Sequence, residues 1–417
     1  MSRGTVHIIG AGLSGLSAAV GLAGRAGKVV LHELARHAGG RCRSYFEPTL
    51  GLTIDNGNHL LLSGNHAALT FLKTVGAGDR LVGPDAAEFA FADMASGKRW
   101  SVRPNMGLLP WWIFSSQRRV PGTSAIDYLP LARLLTAQGE RTLGDVLSCS
   151  GTLYQRLLRP VFLAALNTDP PIASAALAGA VVRETLARGG SACRPLIAGD
   201  GLGAAFVDPT IAYLQRHGVE IRFDHQLRAL DLADGHVRSL EFGEDKIDLG
   251  NDDAVILAVP GWVAPLLIKD LPVPMKFNAI LNAHFKIAAP PGFPRILGVL
   301  NAITEWIFTF PDRTSVTVSA ADRFIESERE PLARQIWSEL ATLTGNNGEL
   351  PPWHIVKERK ATFAALPEEH ARRPASRTRW RNLLLAGDWT ATGLPATIEG
   401  AIRSGSRAAE LLRARSY

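Results

Sequence analysis

The stretch from Val6 to Glu33 constrains this chain more than any other. Val6-His7-Ile8-Ile9 reads as a short buried strand, Gly10-Ala11-Gly12-Leu13-Ser14-Gly15 follows at once, Leu13 to Gly24 has helical character, and Lys28 to Glu33 reads as a second strand. Strand, glycine turn, helix and strand within about thirty residues make a βαβ unit, the opening of a doubly wound parallel sheet. In the spacing G-x-G-x-x-G the glycines permit a tight turn, an approach of backbone to ligand, and close packing of helix on strand. The helix N-terminus then presents free N–H groups and partial positive charge to a pyrophosphate. Glu33, closing the second strand, can accept hydrogen bonds from both hydroxyls of a ribose and would repel a 2′-phosphate. A dinucleotide site built from Gly10, Gly12, Leu13, Ser14, Gly15 and Glu33 is expected.

The remaining sequence has room for two or three domains, at 417 residues. Apolar residues at 46% and charged residues at 20% suit a sizeable core and exclude a disordered chain. Lys and Arg number 45 against 39 Asp and Glu, a net +6, which permits attraction to an anionic surface without demanding it. Nucleic acid is not an expected partner, because no recognised module accompanies the charge. Cys42, Cys149 and Cys193 lie far apart with no C-x-x-C, so neither a disulfide framework nor a metal site is expected, and a reducing, cytoplasmic setting is. The apolar run Ala254 to Ile268 holds Pro260, Gly261 and Pro265 and is too short to span a bilayer.

Residues 65–190 read as mostly helical. Alternation marks strands at 219–223, 237–242 and within 280–320, and Ala254 to Val259 reads as a strand buried on both faces. A helix is expected from Ile325 to Leu343, a last strand from Asn382 to Ala386 and a last helix from Ile398 to Arg413. A second glycine run, Gly199-Asp200-Gly201-Leu202-Gly203, is expected to serve helix entry, since Asp200 would face the phosphates of any nucleotide there. Arg372 to Arg381 holds five Arg and no acid and reads as a solvated face.

Further motifs point to FAD. After Glu33 come Arg36 and Gly39-Gly40-Arg41, glycines for a close backbone approach and cations for phosphate. Near the other end, Leu383 to Leu385 runs into Ala386-Gly387-Asp388, which sets a carboxylate at the carboxyl edge of a sheet. The helix beginning at Ile398 can offer backbone N–H groups to a partly negative carbonyl such as flavin O2.

Together, G-x-G-x-x-G…E…G-G-R and A-G-D…E-G-A…S-G resemble the FAD-dependent amine oxidase and phytoene desaturase superfamily. Asp55-Asn56-Gly57-Asn58-His59-Leu60-Leu61-Leu62 and Arg159 to Thr168 resemble, more narrowly, the hydroxysqualene dehydroxylase family, the squalene-associated FAD-dependent desaturases. The resemblance covers essentially the whole chain. It implies an α/β fold: a discontinuous Rossmann-like FAD-binding domain of the GR2 type (1–90, 196–265 and 375–417) with a mixed α+β substrate domain (91–195 and 266–374). It also implies that Leu227 meets the adenine through its backbone, that Asp388 lies by the ribitol and pyrophosphate, that Ile398 donates to the flavin ring, and that Gly57 and Asn58 pass the isoalloxazine. No Cys or His occurs between Trp380 and Tyr417, the segment where covalent amine oxidases attach FAD, so the resemblance implies a non-covalent flavin.

The family's reaction is the reduction of hydroxysqualene to squalene in hopanoid and squalene biosynthesis. Hydride from reduced flavin N5 quenches an allylic cation left by the departing hydroxyl. It implies a long apolar isoprenoid substrate, a separate electron donor and an acid for the leaving group, for which Asp55, His59, Asn167 and Glu399 are candidates. A carotenoid or phytoene desaturase-like enzyme, an amine oxidase and a non-redox prenyl-binding protein are the alternatives. Between Met94 and Ile126 there is no acidic residue, while Lys98, Arg99, Arg103, Arg118 and Arg119 surround Leu108-Leu109-Pro110-Trp111-Trp112-Ile113-Phe114. Trp and aliphatic side chains beside basic ones suit a bilayer interface, so segment 104–119 is expected to make a peripheral contact on the inner face of the membrane.

Overall fold

Both ends of the chain meet in one parallel sheet. In the computed structural model, which describes residues 4–25, 27–346 and 348–414, the strands Glu220–Arg222, Val29–His32, Val6–Ile9, Ala254–Leu257 and Leu383–Leu385 lie side by side in that order, every neighbouring pair parallel. Every residue of the three strands Val6–Ile9, Ala254–Leu257 and Leu383–Leu385 is buried, as a parallel strand covered on both faces requires. Sequence order reverses at Val6–Ile9, whose neighbours come from residues 29–32 on one side and 254–257 on the other. The carboxyl end of that strand is where a doubly wound sheet opens a crevice for a ligand.

The helix Leu13–Leu22 follows that crevice and packs along Ile398–Arg413, the last helix. Their approach leaves no room for a side chain at Gly405. A Cβ on Gly405 would come within 2.0 Å of the Ser14 carbonyl oxygen, and the Ser17 hydroxyl donates to the Ile402 carbonyl at 2.9 Å.

A second sheet of seven strands carries the other half of the molecule, in the order Trp353–Phe363, Phe277–Phe285, Thr314–Val318, Trp306–Thr309, Ile296–Leu300, Phe89–Asp93, Arg99–Val102. One face packs Leu281, Ala283, Val316 and Val318 on the helix Arg329–Thr344 through Leu332, Ile336 and Leu340. Trp306, Phe308 and Phe91 belong instead to the core shared with short helices between residues 125 and 188.

Three expectations are corrected. Residues 89–102 form two strands inside a stretch that reads as helical. Phe89-Ala90-Phe91-Ala92-Asp93 is a short Ala-rich run that turns at Asp93 to Gly97 onto Arg99–Val102 and pairs on its other side with Ile296–Leu300, distant in sequence. The helix expected from Ile325 begins at Arg329, after a separate 3-10 turn at Ala321–Phe324. Arg372 to Arg381 is not a uniformly solvated face. Arg373 is 6% exposed and donates to the carbonyls of Leu394 (2.7 Å) and Asp388 (3.0 Å) and to Thr392 Oγ1 (2.8 Å). The segment that precedes the last strand folds back beneath the loop that follows it. Burial pushes the Arg373 guanidinium down to about 10, although Asp388 opposes that.

Candidate active site

The three glycines after the first strand have three different reasons to be glycine. Gly10 sits at φ +104, and a Cβ there would meet the Ala258 carbonyl oxygen at 2.7 Å. A Cβ on Gly15 would meet the Gly10 carbonyl oxygen at 1.9 Å, so helix and strand touch there. Gly12 has an ordinary φ of −71, caps the helix with no side-chain hydrogen bond, and a Cβ on it would meet nothing within 4 Å. Neither backbone strain nor protein packing excludes a side chain at Gly12. The space in front of the helix N-terminus, bordered by Leu13 and Ser14, fits a phosphate group approaching the backbone.

Around that space the expected partners converge. Glu33 Oε2 accepts from the Ala11 N–H at 2.6 Å and Oε1 from the Ala35 N–H at 2.9 Å. Each oxygen keeps a further lone pair for a ribose hydroxyl. Gly39 bridges Gly12, its N–H donating to the Ala11 carbonyl at 2.8 Å, and Gly40 lies next to Gly12, at a distance of 3.3 Å from a Cβ built on it to the Gly12 Cα. Arg41 donates from Nη2 to both oxygens of Asp388 at 2.7 Å and from Nη1 to the Ala361 carbonyl. Burial works against its charge, but Asp388 prevails and holds the guanidinium pKa above its ordinary value. The Gly387 N–H donates to Ser404 Oγ at 2.9 Å, which ties the residue before Asp388 to the last helix, Ile398–Arg413. Thr397 caps that helix by accepting from the Gly400 N–H at 3.0 Å, and Ile398 is its first residue.

Two expected residues lie at the margin of this cluster. Arg36 points outward, its side chain 82% exposed and its partner Asp224 3.6 Å away. Leu227 is buried with Ile9, Val237 and Phe242, two residues beyond His225, whose N–H donates to the Glu33 carbonyl at 2.8 Å.

The four candidate acids have different engagements. Asp55 Oδ1 accepts from Ser44 Oγ (2.5 Å) and the Leu202 N–H (2.8 Å), while the Gly203 N–H donates to Ser44 Oγ (2.8 Å). Asp55 therefore anchors the second glycine run as a helix entry. Glu399 accepts from the N–H groups of Ala67 (3.0 Å) and Ala68 (2.8 Å) and pairs with Arg403 at 2.7 Å, closing the start of the helix His66–Val75. Asn167 ends the helix Arg159–Leu166 in the left-handed region, φ 47. Its Oδ1 accepts from the Ala320 N–H (2.7 Å), its Nδ2 donates to Thr362 Oγ1 (2.9 Å), and its carbonyl accepts from Asn278 Nδ2 (2.6 Å). His59 is held at one nitrogen only, Nδ1 lying 2.9 Å from the Gly57 carbonyl. That oxygen can only accept, so Nδ1 carries the proton and Nε2 is left for another group. Burial lowers the His59 pKa.

Gly57 and Asn58 lie against the seven-stranded sheet. Asn282 Oδ1 accepts from Thr317 Oγ1 (2.8 Å), the Asn58 N–H (3.3 Å) and Asn58 Nδ2 (3.4 Å). Sequence reasoning did not single out Asn282. Its signal is the alternation Asn278, Ile280, Asn282, His284 along an otherwise apolar strand, which sets three polar side chains on one face.

The chain that brings glycine loop, ribose carboxylate and carboxyl-edge acid together matches a family model, flavin containing amine oxidoreductase, over residues 13–413. The chain belongs to that family. It is also 56% identical, over 98% of both chains, to a protein of Rhodopseudomonas palustris named hydroxysqualene dehydroxylase, and 52% identical, over 97% of both, to one of the same name from Sinorhizobium fredii. Within the amine oxidoreductases it therefore falls among the hydroxysqualene dehydroxylases. Of solved structures, an oxidoreductase from Methanosarcina mazei superposes with a TM-score of 0.72 at 15% identity, covering 97% of this chain and 100% of the other, a likeness of fold. A flavin-dependent oxidoreductase with an α/β flavin-binding fold follows from membership. Among the described residues no helix is long and apolar enough to cross a membrane.

Proposed function

We propose that the chain binds FAD without a covalent link and removes the hydroxyl of hydroxysqualene to give squalene. The observation that carries this reading is the near-full-length similarity to proteins named for that substrate, on a chain whose Gly12, Glu33, Arg41 and Asp388 fit the cofactor. In the balanced reaction the C–O bond breaks, the leaving oxygen takes a proton and departs as water, and a hydride completes the new C–H bond. A reduced flavin supplies that hydride, and a separate donor supplies the electrons. Glu33 is proposed to hold the ribose, the N–H groups at Gly12 to Ser14 the pyrophosphate, and Asp388 the ribitol. Arg41 neutralises phosphate charge, and the first turn at Ile398 faces the flavin ring. Asn282 and Thr317 fix Asn58 at the substrate side of that ring. Asp55, Asn167 and Glu399 each accept from backbone N–H groups of distant segments, whereas His59 leaves Nε2 for another group, and it is the proposed proton donor to the leaving oxygen.

The substrate is too apolar to cross water freely. Met106, Leu108, Leu109, Trp111 and Phe114 stand 55–70% exposed, while Trp112 and Ile113 between them are buried. This supports a peripheral contact in which the exposed residues enter the bilayer interface and the buried pair holds them to the core.

The test is anaerobic mixing of reduced, purified protein with hydroxysqualene. Flavin reoxidation with squalene detected by mass spectrometry is expected. Reoxidation absent in both detergent and vesicles would overturn the proposal.

A further inference from the structure

Close in sequence to the exposed apolar ridge, and lined by neither Gly12 nor Asp388, lies a cavity of about 510 Å³ at the Arg99–Val102 edge of the seven-stranded sheet. Arg99, Arg103 and Arg119 line it together with Trp100, Ser116 and Gln117. Ser116 and Gln117 lie two and three residues after Phe114, and Arg119 donates to the carbonyls of Ile113 and Phe114. The cavity wall is therefore a continuation of the ridge.

Its charge is only partly answered. Glu88, the lining carboxylate, pairs with Arg103 at 2.8 Å. Arg99 donates to the Leu343 carbonyl and lies over the Phe293 ring, and Arg119 donates to three backbone carbonyls, including that of Thr123 at 2.7 Å. Carbonyls orient a guanidinium without neutralising it. Arg156 adds a further cation over Trp100, 5.6 Å from the ring centroid. Trp100 also has a buried indole N–H with no partner among the described residues. Forked cations, hydroxyl and amide donors together are the chemistry that recognises a phosphate group.

We infer that this cavity binds the phosphate headgroup of an anionic phospholipid while the adjoining ridge enters the acyl layer. The inference rests on the membrane contact proposed above and adds a lipid preference to it. Two features favour a lipid over a soluble phosphate: the cavity opens beside exposed Trp111 and Phe114, and Phe91, Pro121, Pro294 and Leu297 supply apolar walls for the glycerol and first methylenes.

The experiment sediments the flavin-loaded protein with vesicles of phosphatidylcholine alone and of phosphatidylcholine mixed with phosphatidylglycerol. Wild type is expected to bind the mixed vesicles more tightly. The double variant Arg99→Gln/Arg103→Gln is expected to lose about fivefold in that preference per arginine, with binding to neutral vesicles unchanged. An Arg377→Gln/Arg379→Gln control, two exposed arginines elsewhere, should keep the preference. Equal losses in both double variants would reduce the effect to general charge and overturn the site. So would equal wild-type binding to the two vesicle types, including the case in which the protein binds inorganic phosphate alone. Trp111→Ala/Phe114→Ala should weaken binding to both vesicle types. If it does not, the ridge contact fails, whereas the arginine comparison still decides the cavity. Unchanged flavin absorbance and melting temperature show that each variant is folded.

Discussion

Arg41 and Asp388, 347 positions apart in sequence, form an ion pair in which one guanidinium nitrogen lies 2.7 Å from both carboxylate oxygens. The pair joins the second glycine loop to the carboxyl edge of the last strand, so the two ends of the chain are coupled at the point where the cofactor would lie. Asp388→Ala leaves the half-buried Arg41 with the Ala361 carbonyl and the charge of Glu358. Removing one partner of a buried pair costs about 3–5 kcal/mol, and the 34% exposure of the Arg41 side chain reduces that to about 1–3 kcal/mol. The expected outcome is a lower melting temperature together with loss of flavin, read from denaturant melts and visible absorbance. Retained flavin at wild-type stoichiometry would contradict the assignment of Asp388.

Gly12 and Gly405 separate binding from packing. Gly12→Ala introduces a methyl group into open space and is expected to cost the fold under about 1 kcal/mol, the scale of a helix-cap change. It should nevertheless weaken flavin binding, and Gly12→Asp should abolish it by adding charge repulsion. Gly405→Ala forces a methyl group onto the Ser14 carbonyl and should destabilise the protein by about 3 kcal/mol, the upper range for overpacking. Thermal melts with and without added FAD distinguish the two. If Gly12→Ala melts far below wild type without cofactor, the space at Gly12 is structural.

These two glycines also mark how far the sequence could be read. The opening βαβ unit announces itself because its signals are local: apolar strand, glycine spacing, helix and terminal carboxylate lie within one unit. Helix Ile398–Arg413 was legible for the same reason. The strands at 89–102 were not, because they form a short local hairpin whose other neighbour, Ile296–Leu300, is distant in sequence. Asp55 and Glu399 are candidates for the acid by their motifs, and nothing in their sequence neighbourhood announces that backbone N–H groups of distant segments bind them. Arg373 read as solvated because a run of arginines usually is, and only the fold places loop carbonyls around it.

A chain of buried imidazoles makes stability depend on pH. His7 Nδ1 lies 3.0 Å from His32 Nε2, and His32 Nδ1 lies 2.8 Å from His225 Nδ1. His225 in turn faces Asp245 at 3.5 Å, while Arg222, Lys28, Glu220 and Asp253 surround the other end. Burial lowers His7 to about 4 and His32 to about 3 from an ordinary 6.5. As pH falls below 6.5 the unfolded chain therefore takes up protons before the folded one. The stabilisation is complete above that value and declines on acidification until the folded pKa values are reached, by about 1.4 kcal/mol per histidine per pH unit. Urea melts of wild type and His32→Leu between neutral pH and about 4.5 should show the steeper decline in wild type. Parallel curves would remove this chain as the cause.

Asn282 is expected to act through Asn58. Asn282→Ala leaves the Asn58 N–H and the Thr317 hydroxyl without their shared acceptor, a cost of about 1–3 kcal/mol. A positioning role predicts in addition an altered flavin absorbance envelope and reduced turnover with substrate affinity retained. Thr317→Val removes one donor to Asn282 and should shift both in the same direction by less. A change in stability with an unaltered spectrum and turnover would make the cluster purely structural.

His59 must satisfy two opposing demands if it gives a proton to the leaving hydroxyl. Only its imidazolium can donate from Nε2, because Nδ1 already serves the Gly57 carbonyl, yet burial drives its pKa down. The rate should therefore rise as pH falls, with the imidazolium lost on the acid side of the ordinary histidine value of 6.5. Acid destabilisation of the histidine chain closes the window from below, so activity should be greatest between the two limits. His59→Gln can keep the hydrogen bond to Gly57 through its side-chain amide but cannot carry a proton. It is expected to lower turnover by about 10²–10⁴-fold, the usual worth of a general acid, to flatten the alkaline decline, and to leave flavin content and melting temperature near wild type. Retention of the wild-type pH profile in His59→Gln would assign the proton to another group, whatever the size of the rate loss.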